Sequence, residues 1–183
     1  MKKVLVPIAN GTEEMEAVVI IDMLRRASLN VVVAGEGDVI VCSRGVRIVP
    51  DVHIDEITDD DHFDAIVLPG GEQGVSNFIN NHALEHIIKR HSLKKGLIGA
   101  ICAAPVVLHE YGLLPKRAVV TSHPGTASVF APYAYTLDRV AVEGHIVTSR
   151  GAGTAFEFAL MLIRKLTDEA TATRIATEIV MFE

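Results

Sequence analysis

Four short apolar segments, separated by stretches of helical periodicity, constrain the fold more than any other feature of the chain. They are KVLVPIA (residues 3–9), NVVVAGE (30–36), FDAIVLPGG (63–71) and GLIGAIC (96–102). After the first, in TEEMEAVVIIDMLRRAS (12–28), apolar residues recur at the period of an α-helix. Continuous apolar strands that alternate with amphipathic helices are typical of a mostly parallel sheet covered on both faces. We therefore expect an α/β fold.

Turn residues and periodicity predict the remaining elements. Thr12 is a candidate N-cap for the first helix, which carries apolar residues on more than one face. The other predicted elements are two short strands meeting near Gly45 (39–51), a helical region after Gly71 whose most regular part is NNHALEHIIKRHS (80–92), a short helix ending at Gly112 (103–112), a strand (117–123), a hairpin turning at Glu143-Gly144 (135–151) and closing helix (154–183). No linker, internal repeat or low-complexity tract interrupts the 183 residues, so we expect a single domain spanning residues 1–183.

Charge and composition exclude several classes of protein. The net charge of -6 argues against a nucleic-acid surface, and the most basic stretch, KRHSLKK (89–95), reads as a helix end. No apolar run is long enough for a membrane span, and the amino-terminal segment reads as the first strand rather than a signal peptide. The two cysteines, Cys42 and Cys102, form no disulfide pattern. We expect a cytoplasmic protein with reduced thiols.

The carboxyl-terminal ends of three predicted strands carry chemically suggestive residues. They are ANGTEE (9–14), LPGGEQG (68–74) and AICAAP (100–105). In open parallel sheets, ligands bind beyond these strand ends, so we expect the three segments to form one site. Neither a GxGxxG after the first strand nor a GxxxxGK[ST] is present, which disfavours nucleotide binding.

Cys102 lies at the predicted turn from a buried strand into a helix. Such a turn would hold a nucleophile above the sheet, and the small residues around Cys102 permit it. We expect the helix N-terminus to lower the pKa of the thiol and favour the thiolate. The alternative is a buried, inert cysteine in a core strand.

Two further groups favour a reactive Cys102. Gly70 and Gly71 would let backbone N–H groups approach an anion without side chains in the way. Glu16 shares a helix face with apolar residues, so we expect burial to raise the pKa of its carboxyl and keep it protonated near neutrality. Glu13 and Glu14, in the first turn, can be read as solvated charges.

Five motifs, in this order along the chain, carry a resemblance to a known family. They are IANGTEEMEAV, IVLPGG, AICAAP, TSHPG and TSRGAGTAFEFAL. Together they resemble the ThiJ/PfpI superfamily, in the branch that contains the parkinsonism-associated protein deglycase and bacterial YajL. The resemblance implies a flavodoxin-like sandwich with a nucleophile elbow, an oxidation-sensitive cysteine, a homodimer and no cofactor.

The same resemblance assigns roles to seven positions, and Glu13, one of the acids in the first turn of the first helix, completes the expected site. Cys102 matches the reactive cysteine, Glu16 its protonated partner and His123 a nearby histidine, and these three form the expected catalytic set. The expected oxyanion or substrate-binding set is Gly70, Gly71, Ala103, Glu13 and Arg44, the last reaching the pocket across the dimer. The peptidases of the superfamily carry His directly after the nucleophile, so Ala103 weakens a Cys–His protease hypothesis.

Three functions remain open from the sequence. The first is a cofactor-independent cysteine enzyme of the hydrolase or lyase class that acts on reactive dicarbonyls or glycated substrates, as a glutathione-independent glyoxalase or a protein or nucleotide deglycase. The second is a redox sensor or stress chaperone without substantial turnover, and the third a cysteine peptidase or amidotransferase-like hydrolase.

His82 and His86 lie four residues apart without a third ligand at suitable spacing, so we expect both to be surface residues and expect no metal site. Cys42 is expected to pack near a dimer interface.

Overall fold

A seven-stranded sheet lies between two layers of helices in the computed structural model, which describes residues 1–181. The strands are β1 (Lys3–Ile8), β2 (Asn30–Gly35), β3 (Ile40–Val41), β4 (Arg47–Ile48), β5 (Val52–His53), β6 (Ala65–Leu68), β7 (Leu97–Ile101), β8 (Val119–Val120), β9 (Ala134–Tyr135), β10 (Val140–Glu143) and β11 (Ile146–Ser149). The helices are α1 (Glu14–Arg26), α2 (Glu72–Asn80), α3 (His82–Leu93), α4 (Pro105–Glu110), α5 (Ala155–Leu166) and α6 (Glu169–Glu178).

The sheet has the order β10-β11-β7-β6-β1-β2-β5. Every neighbouring pair is parallel except β10 and β11, which form the antiparallel edge hairpin. This confirms the mostly parallel α/β sheet expected from the apolar segments. The carboxyl ends of β1, β6 and β7 point to the same edge, because these three parallel strands are adjacent.

Alternate residues of each central strand pack into opposite layers. In β1, Val4 and Val6 face α1, α5 and α6, whereas Leu5 faces α2, α3 and α4. Burial on both faces explains why these strands read as continuous apolar runs rather than as alternating patterns. On α1 the buried face includes Ile20 and Leu24.

Both predicted hairpins are confirmed, and their turns contain glycines with positive φ. Gly45 (φ 89) turns β3 into β4, and Gly144 (φ 58) turns β10 into β11. The strand predicted at 117–123 is only the two residues of β8, and it pairs with β9 outside the main sheet. The edge strand β5 was not among the predicted elements.

The predicted helix ends need two corrections. Thr12 does not cap α1, because its hydroxyl accepts the N–H of Ala9 at 3.0 Å and closes the turn after β1 instead. The closing helix is two helices, since Asp168 accepts the N–H of Thr171 and starts α6 after a break. The last two residues of that prediction, Phe182 and Glu183, lie outside the described residues.

Two phenylalanines on α5 allow the contribution of core packing to stability to be measured against that of an exposed side chain on the same helix. Phe158 is fully buried under the sheet, whereas Phe156 is 43% exposed. We expect Phe158→Ala to lower the free energy of unfolding by about 3–5 kcal/mol, because it removes apolar contacts and leaves a cavity. Phe156→Ala is the matched control, and it should change the free energy of unfolding, measured in urea, by less than about 1 kcal/mol. Equal losses for the two variants would contradict this packing.

Candidate active site

Cys102 occupies a strained turn directly after β7. Its φ of 65 places a non-glycine residue in the left-handed region. This conformation costs free energy and persists only where the surrounding structure holds it. Two backbone hydrogen bonds impose it here: the N–H of Cys102 donates to the Ser149 carbonyl at 3.0 Å, and its carbonyl accepts the His123 N–H at 2.8 Å. The strand-to-helix elbow expected from the sequence is therefore present, with α4 starting at Pro105.

The Glu16 carboxyl reaches the elbow from the first turn of α1. It is fully buried, accepts the N–H of Gly70 at 2.7 Å through Oε2, and lies close enough to the Cys102 thiol to act on it electrostatically. Gly70 has no room for a side chain, since a Cβ there would lie 2.6 Å from the Cys102 Cβ and 2.8 Å from Glu16 Oε2. The three strand ends thus meet at one carboxyl group.

Burial raises the pKa of Glu16 from 4.5 to about 7, against the opposing hydrogen bond from Gly70. The expected rise, and with it a substantial protonated fraction near neutrality, is confirmed.

The expectation of a lowered pKa for the Cys102 thiol is wrong in this structure. Burial and the ionised Glu16 carboxylate raise the pKa of Cys102 to about 12, and the backbone N–H groups of Ala103 and Gly71 oppose them only in part. The helix N-terminus contributes little because α4 begins three residues later and has only six residues. The Coulomb effect disappears when Glu16 is protonated, so the two groups titrate as a pair.

The glycines at the β6–α2 turn have different roles. The N–H groups of Gly71 and Ala103 point at the thiol, as expected for donors to the pocket. The N–H of Gly70 instead serves Glu16, so Gly70 is not free to bind a substrate. Gly71 has a φ of 94, and a Cβ there would contact the Gly11 carbonyl oxygen.

A cavity of about 930 Å³ opens above the elbow. Seven of the eight sequence-predicted site residues line it, and Gly70 does not. Three more lining residues, Gly11, Glu72 and Gln73, belong to the strand-end segments predicted to form the site. The lining residues outside those segments, which sequence reasoning did not select, are Cys42, Ser43, Ser76, Gly125, Thr126 and Ala152. They come from turns and a helix far apart in the chain, and their residue types alone carry no signal of a site.

His123 lies beside the elbow but does not form a base with Cys102. The N–H of Gly125 donates to His123 Nδ1 at 3.1 Å, so the neutral ring carries its proton on Nε2. Among the described residues, no hydrogen bond joins the imidazole to the thiol. The side chain is exposed and able to donate from Nε2, which disfavours a Cys–His peptidase.

The turn that joins β3 to β4 forms one wall of the cavity. Cys42 is buried there, just after β3, and burial together with Glu14 and Glu13 raises the pKa of its thiol to about 11. Arg44 is exposed and donates to the Ser43 carbonyl at 3.2 Å while lining the cavity of its own chain. Glu14, read above as a solvated charge, is buried and accepts hydrogen bonds from this turn.

The remaining histidines lie away from the cavity. His82 and His86 are exposed and pair with Glu85 and Asp59, as expected for surface residues. Residues 1–181 contain no group of three or more His, Cys, Asp or Glu side chains that would hold a metal ion. No helix in that range is long and apolar enough to cross a membrane.

Comparisons with known proteins agree on one family. Residues 2–165 match the DJ-1/PfpI family. The chain is 37% identical to the zebrafish (Danio rerio) Parkinson disease protein 7 homolog, over 98% of this chain and 97% of that protein. It is 38% identical to Caenorhabditis elegans glutathione-independent glyoxalase DJR-1.2, over 84% and 82%. The solved structure of oxidized Toxoplasma gondii DJ-1 superposes with a TM-score of 0.94 at 39% identity, covering 98% of both chains.

The raised pKa of Glu16 predicts how stability depends on pH. The native state holds this proton more tightly than the unfolded chain, so the free energy of unfolding falls as pH rises from 4.5 through about 7. Glu16→Gln removes the buried charge and should be more stable than the parent by roughly 2–4 kcal/mol at about pH 8, with a much smaller difference at about pH 5. Urea unfolding at both pH values measures this, and a difference independent of pH would contradict a buried, titrating Glu16.

Proposed function

The chain belongs to the DJ-1/PfpI family, and we propose that it is a cofactor-independent cysteine enzyme that converts small dicarbonyls such as methylglyoxal and glyoxal into hydroxy acids. The observation that carries this proposal is the contact between the Cys102 thiol and the Glu16 carboxyl, whose pKa is about 7, at the base of an open cavity. A nucleophile beside a group that titrates near neutral pH suits addition and proton transfer at a carbonyl. The name of the nematode relative, glutathione-independent glyoxalase, agrees with this chemistry.

In the first step, Cys102 adds to the aldehyde carbon of the substrate. The ionised Glu16 carboxylate accepts the thiol proton as the new bond from Sγ to carbon forms, which overcomes the raised pKa of Cys102. The π electrons of the carbonyl move to its oxygen, and this oxygen then takes the proton back from Glu16. The product is a hemithioacetal with Glu16 again ionised.

In the second step, Glu16 moves a proton between adjacent carbon atoms. The carboxylate takes a proton from the carbon bound to Sγ, which leaves an enediolate with its charge on the oxygen of the neighbouring carbon. The hydroxyl proton on the first carbon passes to that oxygen, and Glu16 returns its proton to the neighbouring carbon as the carbonyl beside Sγ forms. The result is a thioester of the hydroxy acid on Cys102. Water then cleaves the thioester, releases the hydroxy acid and restores the thiol, so the net reaction adds one water to the dicarbonyl and needs no external oxidant or reductant.

The backbone donors support the charged intermediates. The N–H groups of Gly71 and Ala103 point toward Sγ, so an oxyanion formed on the carbon bound to Sγ would lie within their reach. His123 lines the same cavity and can donate from Nε2 to a substrate oxygen. Arg44 and Glu13 also line it, and they would contact the rest of a substrate.

The volume of the cavity supports a wider range of substrates. About 930 Å³ exceeds what a three-carbon dicarbonyl fills, so an early glycation adduct on a peptide or nucleotide would also reach the thiol. We propose deglycation as a second use of the same addition step.

Both cysteines are free thiols, which suits the reducing cytoplasm, and we propose that the protein is located there.

Glu16→Gln separates the nucleophile from the proton carrier. Gln keeps the shape of Glu but cannot cycle a proton, so we expect methylglyoxal turnover to fall on the order of 10²–10⁴-fold. Cys102→Ser should remove turnover altogether, and Asp22→Asn, an exposed acid on the same helix, should retain the parent rate. Alkylation of Cys102 by iodoacetamide confirms that the thiol of Glu16→Gln remains accessible.

Two results of that assay would contradict the proposal. Parental turnover in Glu16→Gln would exclude Glu16 as the proton carrier. If iodoacetamide reacts with Cys102 of the parent but the untreated parent turns over no dicarbonyl, a redox sensor would be favoured. In such a sensor, protonated Glu16 stabilises an oxidised Cys102.

We also propose a homodimer formed through α1 and the β3–β4 turn. Met15 and Val18 on α1 are 60% and 51% exposed, and Val41 and Val46 flank the neighbouring turn with similar exposure. Exposed apolar residues on two neighbouring elements suit an interface between two copies. It would bring Arg44 of one protomer close to the partner.

Light scattering at micromolar concentration should give about twice the chain mass of 19.7 kDa. Val18→Glu places a charge in the proposed interface and should shift the protein toward monomer. Leu93→Glu changes an apolar residue on α3 that is 86% exposed and serves as the control. A monomeric parent, or equal behaviour of the two variants, would exclude this interface.

A further inference from the structure

Glu14 is a buried carboxylate whose partners all lie in the turn from Cys42 to Val46. Glu14 Oε1 accepts the N–H of Arg44 at 2.8 Å and that of Val46 at 3.4 Å. Glu14 Oε2 accepts the hydroxyl of Ser43 at 2.7 Å. Burial acts to raise the pKa of Glu14, but these hydrogen bonds and that of its own backbone N–H lower it overall. The side chain is therefore an ionised acceptor for a turn about 30 residues away.

Glu14 is one of several anchors of that turn, since Ile40 and Cys42 are buried in the α1 layer and the N–H of Val41 donates to Asn10 Oδ1 at 2.9 Å. Strands β3 and β4 have two residues each and form a hairpin separate from the main sheet. Besides Glu14, the turn is anchored by the N–H of Ser43, which donates to the Thr12 carbonyl at 2.8 Å, and β3 is anchored by the N–H of Gly11, which donates to the Val41 carbonyl. Without Glu14, the N–H groups of Arg44 and Val46 would lose their acceptor.

The same turn is a wall of the cavity above Cys102. Cys42, Ser43 and Arg44 line the cavity, and Glu14 itself does not. Glu14 therefore contacts this wall from outside the cavity.

The Ser43 hydroxyl links Glu14 to another cavity residue. Ser43 Oγ lies 2.7 Å from Glu14 Oε2 and also 2.7 Å from Glu13 Oε2. One hydroxyl proton can be donated to only one carboxylate at a time. Removing Glu14 would leave this proton to Glu13, which lines the cavity and acts electrostatically on Glu16.

We propose that Glu14 is a positioning residue that fixes the 42–46 turn, together with Glu13, as the substrate-binding wall of the cavity. Substrate affinity then depends on Glu14 more strongly than the reaction at Cys102 does, because none of the hydrogen bonds of Glu14 reaches the elbow and its effect on Glu16 is only indirect, through Glu13. The kinetic part of this proposal rests on the proposed function, and the structural part does not.

The kinetic test compares three variants with the parent, using methylglyoxal as substrate. Glu14→Ala should raise KM on the order of tenfold while kcat stays within about threefold, because only the binding wall is lost. Glu14→Gln keeps one oxygen for the N–H groups of Arg44 and Val46 and should recover most of the parent KM. Glu157→Ala removes a first-turn acid from α5, bound to Arg139 away from the cavity, and controls for the lost helix-dipole interaction.

Hydrogen exchange tests the same proposal without turnover. In Glu14→Ala the amides of Arg44 and Val46 should exchange at least about tenfold faster than in the parent, whereas iodoacetamide should alkylate Cys102 at the parent rate. If no variant and no parent turns over methylglyoxal, the proposed function fails, but this measurement still decides the role of Glu14. Unchanged exchange at these amides, or a loss in kcat rather than KM, would overturn the proposal, as would Glu14→Gln being as impaired as Glu14→Ala.

Discussion

A single buried carboxyl group connects the parts of this molecule that make up the site. Glu16 comes from α1, binds the turn after β6 through the N–H of Gly70, and contacts the Cys102 thiol at the end of β7. Three segments about 30 to 50 residues apart are thereby held at one edge of the sheet. The close fit at Gly70, where no side chain has room, follows from this convergence. The parallel order of β1, β6 and β7 makes it possible, because all three strands end on the same side.

The burial that organises the site also sets its chemistry. Removing the carboxyl from water raises the pKa of Glu16 to about 7, and the same burial keeps a proton on the Cys102 thiol when Glu16 is ionised. Near neutral pH the pair therefore loses the proton of Glu16 and keeps that of the thiol, which the carboxylate can accept as the new bond to sulfur forms. A site of this kind favours addition to a carbonyl, in which the proton leaves sulfur as the new bond forms, and it does not depend on a free thiolate.

Strands and turns that depend on short stretches of sequence could be predicted from the sequence, whereas side-chain environments that depend on contacts between distant residues could not. The apolar runs predicted β1, β6 and β7, and the small residues around Cys102 predicted the elbow, because strand periodicity and turn chemistry are local. The buried face of α1 likewise marked Glu16 as a carboxyl with a raised pKa. Glu14 was misread as a solvated charge, because its partners follow about 30 residues later in a turn whose position no local pattern reveals. The pKa of Cys102 was misjudged for a similar reason, since the helix dipole is visible in the sequence, whereas the burial of the thiol and the ionised state of the neighbouring Glu16 depend on the folded structure.

The central claim is that the buried Glu16 carboxyl beside Cys102 loses its proton near neutral pH, while the thiol keeps its own. The most direct measurement is an NMR titration of the side-chain carboxyl carbons in protein labelled with ¹³C-glutamate, with Glu16→Gln used to assign the resonance of Glu16. The account predicts one glutamate carboxyl, absent from the variant, that titrates at a pH of about 7, and a shift of this titration when Cys102 is replaced by Ser. A Glu16 carboxyl that titrates near its ordinary value of 4.5, unaffected by Cys102→Ser, would contradict it.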